Sequence, residues 1–192
     1  MIQVKIPDVD RLHIAEVYRQ TPKLVYAAAR TTLRRTITKT KKLIAINTRK
    51  VYQVKSSYVK AALTVEAPKG GNLVAAVRAT GKSVKLAGFQ VTFSRKRLPV
   101  KVRVKKSSPL KPVKGLFRND FPSGYSGLMH RRQPTRYPLK TPAGPSVPQM
   151  VEKPQIFTSV EQEAERYMAQ TFLHEVDFRV WRAAHKAASK GG

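Results

Sequence analysis

Between Tyr18 and Met150 the chain carries thirty lysines and arginines against two acids, Glu66 and Asp120, so nearly all of its net charge of +27 lies in one unbroken middle region. The flanks, 1–16 and 151–192, hold eight basic and nine acidic side chains and are about neutral. Unpaired charge is expensive to bury, so whatever body this region builds must carry its cations outside. Such a surface faces a polyanion, because each Lys or Arg that neutralises a phosphate releases condensed counterions and adds affinity that does not depend on sequence.

A chain of 192 residues predicts one domain of ordinary size or one domain with extended arms. Its 41% apolar residues can fill a core, and the absence of cysteine excludes a disulfide framework and every Cys-ligated zinc or iron–sulfur site. The opening MIQVKIPDVD has acids and no apolar core, and the longest apolar run, 24–29, is far short of the roughly 20 residues that span a bilayer. A soluble protein with no signal peptide and no membrane span is the expectation.

From Pro22, where a helix tolerates proline, Tyr26, Ala29, Leu33, Ile37, Thr40 and Ile44 recur at steps of three and four, predicting a long helix with Thr21 as its cap. The other face shows Arg30, Arg34, Arg35, Lys39, Lys41 and Lys42 with no acid at i+4, so these cations are available to a partner. A short helix capped by Ser56 or Ser57 follows. The period then changes to two over 73–79, 82–86, 89–93 and 100–105, with glycines and Pro99 between the pieces, the pattern of antiparallel strands. Val100, Val102 and Val104 alternate strictly with Lys101, Arg103 and Lys105, one face apolar and the other cationic.

Nine of the thirteen prolines lie in 107–154, which reads as loop with short edge strands at 115–117 and 127–131. The chain ends in a helix, with a capping box at Ser159 and Gln162, acids Glu161, Glu163 and Glu165 in its first turns, and a stripe of Val160, Ala164, Met168, Phe172, Val176 and Val180. Trp181 reads as a packing residue. The fold class expected is α+β: an antiparallel sheet with a long N-terminal helix, a C-terminal helix and a long Pro/Gly-rich loop or arm. Its parts are an N-terminal arm (1–20), a basic helical and β-sheet part (21–106), the loop or arm (107–154) and the C-terminal helix (155–192), the second and fourth forming one domain.

Catalytic constellations are thin. Residues 76–83 satisfy a relaxed phosphate-loop pattern ending in Gly81-Lys82-Ser83, but 84–86 continues as strand where a nucleotide site needs a helix, and no apolar run ending in Asp supplies a metal ligand. His13, His130, His174 and His185 lack metal-ligand spacing. No enzyme activity and no cofactor is expected.

Phe117, then Gly-Tyr-Ser-Gly-Leu-Met-His-Arg-Arg over 124–132, Arg136-Tyr137-Pro138-Leu139 and Gly144-Pro145-Ser146-Val147-Pro148 stand in an order that resembles the prophage minor tail protein Z family of tailed bacteriophages. The small-residue helix at 27–30, the segment 52–63 and the basic hairpin at 93–97 fall where that family has comparable pieces, and the resemblance spans roughly 20–180. One departure is Ala29-Arg30 where relatives have Asn-Arg, which leaves the role of Arg30 open.

The resemblance implies a non-enzymatic virion protein, similar to tail completion proteins, that acts at the head-proximal end of the tail and in positioning the genome end for ejection. It further implies assembly with other copies of itself in a ring, commonly six-fold, contact with tail terminator, tail tube or neck proteins and with viral double-stranded DNA, no membrane, and residence in the virion after assembly in the host cytoplasm. Candidate DNA or polyanion contacts are Arg30, Arg34, Arg35, Lys39, Arg95, Lys96, Arg97, Lys101, Arg103 and Lys105. Candidate docking residues are Phe117, Arg131, Arg132, Arg136, Tyr137, Pro138, Gly144, Pro145, Ser146 and Pro148. The alternative is a basic nucleic-acid-binding protein, ribosome-associated or DNA-condensing, although its aromatics are not interleaved with its cations as a stacking platform requires.

Overall fold

The computed structural model describes residues 11–92, 100–120, 126–131, 133–135 and 137–189, with 11–13, 126 and 187 described as backbone only. Helices α1 (Arg11–Gln20), α2 (Pro22–Val51) and α3 (Ser56–Ala61) come first. Strands β1 (Leu63–Glu66), β2 (Ala76–Ala79), β3 (Ser83–Lys85), β4 (Gln90–Thr92) and β5 (Lys101–Arg103) follow, a 3-10 turn at Leu86–Gly88 preceding β4. Then come β6 (Lys111–Pro112), β7 (Leu116–Asp120), β8 (Ser126–Arg131), β9 (Leu139–Lys140) and β10 (Ala143–Ser146), and the chain closes with α4 (Val147–Val151) and α5 (Pro154–Ala188). The class is α+β, as expected, but the strands form four small sheets, ordered β1-β2, β10-β3, β4-β5-β6 and β7-β8-β9. Strands this short, interrupted by glycine turns and by a proline in β6 that cannot donate to a ladder, do not extend into one sheet.

Two compact units divide the chain. The first takes the described residues of Met1–Leu43, Thr64–Arg78 and Phe157–Gly192, the second Ile44–Leu63 and Ala79–Ile156. In the first unit Val25 and Ala28 of α2 meet Phe172 and Val176 of α5, with Ile14 and Val17 of α1 against them. Residues 11–20, expected as arm, are therefore a helix with an apolar face in the core. As residue number rises along α2 it falls along α5, from the Arg179 contact with Thr31 to the Lys39 contact with Tyr167, so the two run antiparallel.

The stripe α2 buries is shifted by one residue from the predicted one at its N-terminal end. Val25, Ala28, Thr32, Thr36 and Thr40 are buried, while Tyr26, Ala29 and Leu33 are half-buried. On α5 the predicted stripe is buried through Val176, whereas Val180 is exposed. A strict four-residue step advances by about 40° each time on a helix of 3.6 residues per turn, so the stripe winds off the packed face. Trp181 is 54% exposed and does not pack in the core.

Two capping expectations are also corrected. The Thr21 hydroxyl donates back to the Val17 carbonyl (3.0 Å) and so closes α1; it does not cap α2. The capping box is at the start of α4, where the Ser146 amide donates to Gln149 Oε1 (2.9 Å) and Ser146 Oγ accepts from the Gln149 amide. Ser159 and Gln162 lie inside α5, which begins at Pro154, so Glu161, Glu163 and Glu165 stand beyond its first turn. In α3, Lys55 is the flanking residue and no side chain caps the helix.

The second unit is built around β5. Val100 and Val102 pack with Leu116 and Leu128, and Leu86, Ala87, Val91, Val104 and Val113 lie against them. The proline-rich 107–154 is thus no free arm: its described residues supply β6–β10, α4 and buried Leu116, Leu128, Met129, Val147 and Met150. Two of its prolines sit where a missing N–H is harmless, Pro112 on the edge strand β6 and Pro148 in the first turn of α4. Gly115 takes a φ of +70° at the turn into β7, a conformation that favours glycine.

Gly144 lies against the Phe89 ring so closely that a Cβ there would stand 2.7 Å from a ring carbon. Gly144→Ala should therefore lower stability by about 1–3 kcal/mol through overpacking, read as a shifted urea midpoint at unchanged slope. The control Gly71→Ala, whose Cβ meets nothing within 4 Å, should stay within about 0.5 kcal/mol of the parent.

Candidate polyanion and docking surfaces

The cations of α2 separate into two groups once their neighbours are placed. Arg35 is engaged: its guanidinium lies 2.5 Å from Glu175 Oε1, and Glu175 is buried on α5. The second carboxylate oxygen faces Arg179 at 3.3 Å, and Arg179 also donates to the Thr31 hydroxyl (2.7 Å) and the Ala27 carbonyl (3.3 Å). Lys39 stands over the Tyr167 ring at 5.7 Å. Arg30 is half-buried, its Nε without a hydrogen-bond partner. Of the four predicted contact residues here, Arg34 alone is exposed with no ion pair or ring contact among the described residues.

The cationic face of β5 is also divided. Lys101 and Lys105 are exposed, but Arg103 turns back on its own chain, its Nε donating to the Ser108 carbonyl (2.8 Å) and its terminal nitrogen to the Lys106 carbonyl. The cations of this face do not stand opposite one another: across from Lys101 stands Thr92, and across from Arg103 stands Gln90. Neutral partners remove the repulsion that like charges directly opposite would create. Arg95, Lys96 and Arg97 lie outside the described residues.

The docking set separates in the same way. Arg131 is exposed, its guanidinium 5.5 Å from the centre of the half-buried Phe117 ring, and Tyr137 (64% exposed) and Pro138 face outward. Gly144 packs on Phe89, Ser146 caps α4 and Pro148 stands in its first turn, so these three serve the fold from within. Pro145 is half-buried, and Arg132 and Arg136 lie outside the described residues.

After Lys82 the chain enters β3, so the amides that a nucleotide site draws from a helix N-terminus point instead into a strand pair with β10. Lys82 is exposed. Among the described residues no three of His, Asp and Glu stand close enough to hold a metal, and no described helix is long and apolar enough to cross a membrane.

Sequence reasoning missed Glu175, the acid on which the α2 cations turn. Its signal was present: a carboxylate three residues after Phe172 in an apolar stripe, four before Arg179. Arg103→Ala should cost about 1–2 kcal/mol in unfolding free energy, since it removes charge-assisted hydrogen bonds, whereas Lys101→Ala should be neutral within about 0.5 kcal/mol. Equal effects in urea unfolding would mean that Arg103 is not a structural residue.

The model of one protein family, described as prophage minor tail protein Z, matches residues 11–185. No curated protein and no solved structure matches the chain. The family match takes in both units and every described candidate residue, and the chain therefore belongs to the prophage minor tail protein Z family, structural proteins of the phage tail.

Proposed function

We propose that this tail protein acts in tail completion: it joins the head-proximal end of the tail as a ring of copies, commonly six in related completion proteins, and holds the genome end for ejection. It does so as a structural part, without turnover. The observation that carries the reading is the segregation of charge within a chain matched to the family from residue 11 to 185, thirty cations against two acids between Tyr18 and Met150. A ring multiplies that charge, and a cationic lumen holds DNA through phosphate neutralisation that is independent of sequence. Tail terminator, tube or neck proteins are its neighbours, the host cytoplasm its place of assembly and the virion its destination.

Exposure selects the cations to test. Arg34 and Lys101 are free of the ion pairs and carbonyl contacts that hold Arg35 and Arg103 in the fold. Arg34→Gln with Lys101→Gln should leave the urea midpoint unchanged and lower the salt slope of duplex-DNA binding by about two units, close to one per lost phosphate contact. Phage carrying the pair should retain less DNA in the tail. Phage lacking the protein altogether should build tails of normal length that fail to deliver their genome. Normal infection by that deletion phage would refute the reading, and DNA binding by the pure chain with no defect in virions would favour the general nucleic-acid-binding alternative.

A further inference from the structure

Within the second unit an open groove of about 870 Å³ runs beside β5 and β6, within the range of ligand-holding clefts. Val102, Val104, Val113 and Leu86 form its apolar part. Pro109, Pro145 and Pro154 add stiff apolar wall, and Tyr52, 3% exposed, closes one side. Burial pushes the Tyr52 phenol above its usual pKa, so this wall stays neutral. Around the groove stand Lys105, Lys111 and Lys153, all exposed, against one acid, Glu152. Among the described residues no carboxylate pairs with any of the three lysines.

Three occupants can be weighed on this chemistry. A second copy presenting its basic middle region would place lysines against lysines. DNA would satisfy the lysines, but a strand of nucleic acid gains nothing from valines and prolines, and the one aromatic in the groove is too buried to stack a base. An acidic peptide satisfies both parts, its apolar side chain entering the floor while its carboxylates meet the rim. We propose that the groove is the docking site for an acidic, apolar-anchored peptide segment of another tail protein, seated on Val102, Val104 and Val113 and ringed by Lys105, Lys111 and Lys153. That the partner is a tail protein rests on the function proposed above; the chemistry of the segment does not. Charge complementarity would steer the encounter, and the buried anchor would set the lifetime.

The test uses the full chain and labelled peptides that alternate glutamate with leucine, glutamate with serine, and lysine with leucine, together with duplex DNA. Glutamate–leucine peptide should bind, and the other two peptides should bind at least roughly tenfold more weakly, because each lacks one half of the recognition. Lys105→Glu, Lys111→Glu and Lys153→Glu combined should weaken the glutamate–leucine peptide by about tenfold or more. Pro109→Trp, which fills the groove without changing charge, should weaken that peptide about fivefold and leave DNA affinity unchanged. If Pro109→Trp fails to fold, Lys111→Glu alone, on the exposed edge strand, still reports: it should weaken peptide binding severalfold. Equal affinity for the glutamate–serine peptide, unaltered peptide binding in the filled or reversed variants, or DNA binding that falls with groove filling would each overturn the proposal. In phage, the triple variant should fail to enter tails. Should it assemble and infect normally while the deletion is defective, the groove proposal falls and the completion function stands; should the deletion also be normal, the function falls.

Discussion

One buried carboxylate decides how the cationic helix of this protein can be packed at all. Glu175 is 4% exposed and is held by arginines from two helices, Arg35 of α2 and Arg179 of its own α5. An acid so placed would be strongly destabilising without partners, whereas Arg35, half exposed, would lose far less without it. Arg179 goes on to the Thr31 hydroxyl and the Ala27 carbonyl, so the pair is tied to the α2 backbone as well as to its charge. The ties act where Val25 and Ala28 meet Phe172 and Val176, and the antiparallel register of α2 and α5 in the first unit follows from both together.

The same division of labour recurs away from that helix pair. Glu66 pairs with Arg78 (2.7 Å) and Asp120 with Arg118 (2.9 Å), so these acids, like Glu175, are each held by an arginine. The planar guanidinium has donors for two acceptors at once and loses less freedom on binding, whereas the lysine ammonium is a strongly hydrated point charge on a flexible stem. Two exposed pairs of this kind stabilise little. Their effect is on the surface field: they consume the few acids of the middle region and leave Lys101, Lys105 and Lys111 uncompensated.

How much of this was legible in the sequence depends on whether the signal was local. Proline at the start of α2 and the alternation from Val100 to Lys105 are local, and they placed the long helix and β5 within a few residues. Pro154 was equally local but stood at the end of a proline-rich run, so it read as loop, and the start of α5 was placed at Ser159 instead. Ser146 of the Ser146–Gln149 capping box stood in a motif assigned to docking; its role became clear only with α4 beginning at Val147. Composition misread 107–154 as an arm, because prolines that sit on edges and in a helix's first turn leave the intervening Leu116, Leu128 and Met150 free to be buried. Cross-chain geometry was out of reach: nothing in the order of residues tells that Arg35 and Arg103 are bound into the fold while Arg34 and Lys101 are not.

That last distinction changes what charge segregation means. Thirty cations do not form one interface; some hold helices and turns, and those left over are sorted by their surroundings. Arg34 and Lys101 stand on open surface and suit a phosphate backbone, which asks only for charge. Lys105, Lys111 and Lys153 stand around an apolar floor and suit a segment that brings an apolar side chain with its acids. The proposed function needs both kinds of contact on one chain, and the chain can keep them apart only if its cations differ in what lies beside them.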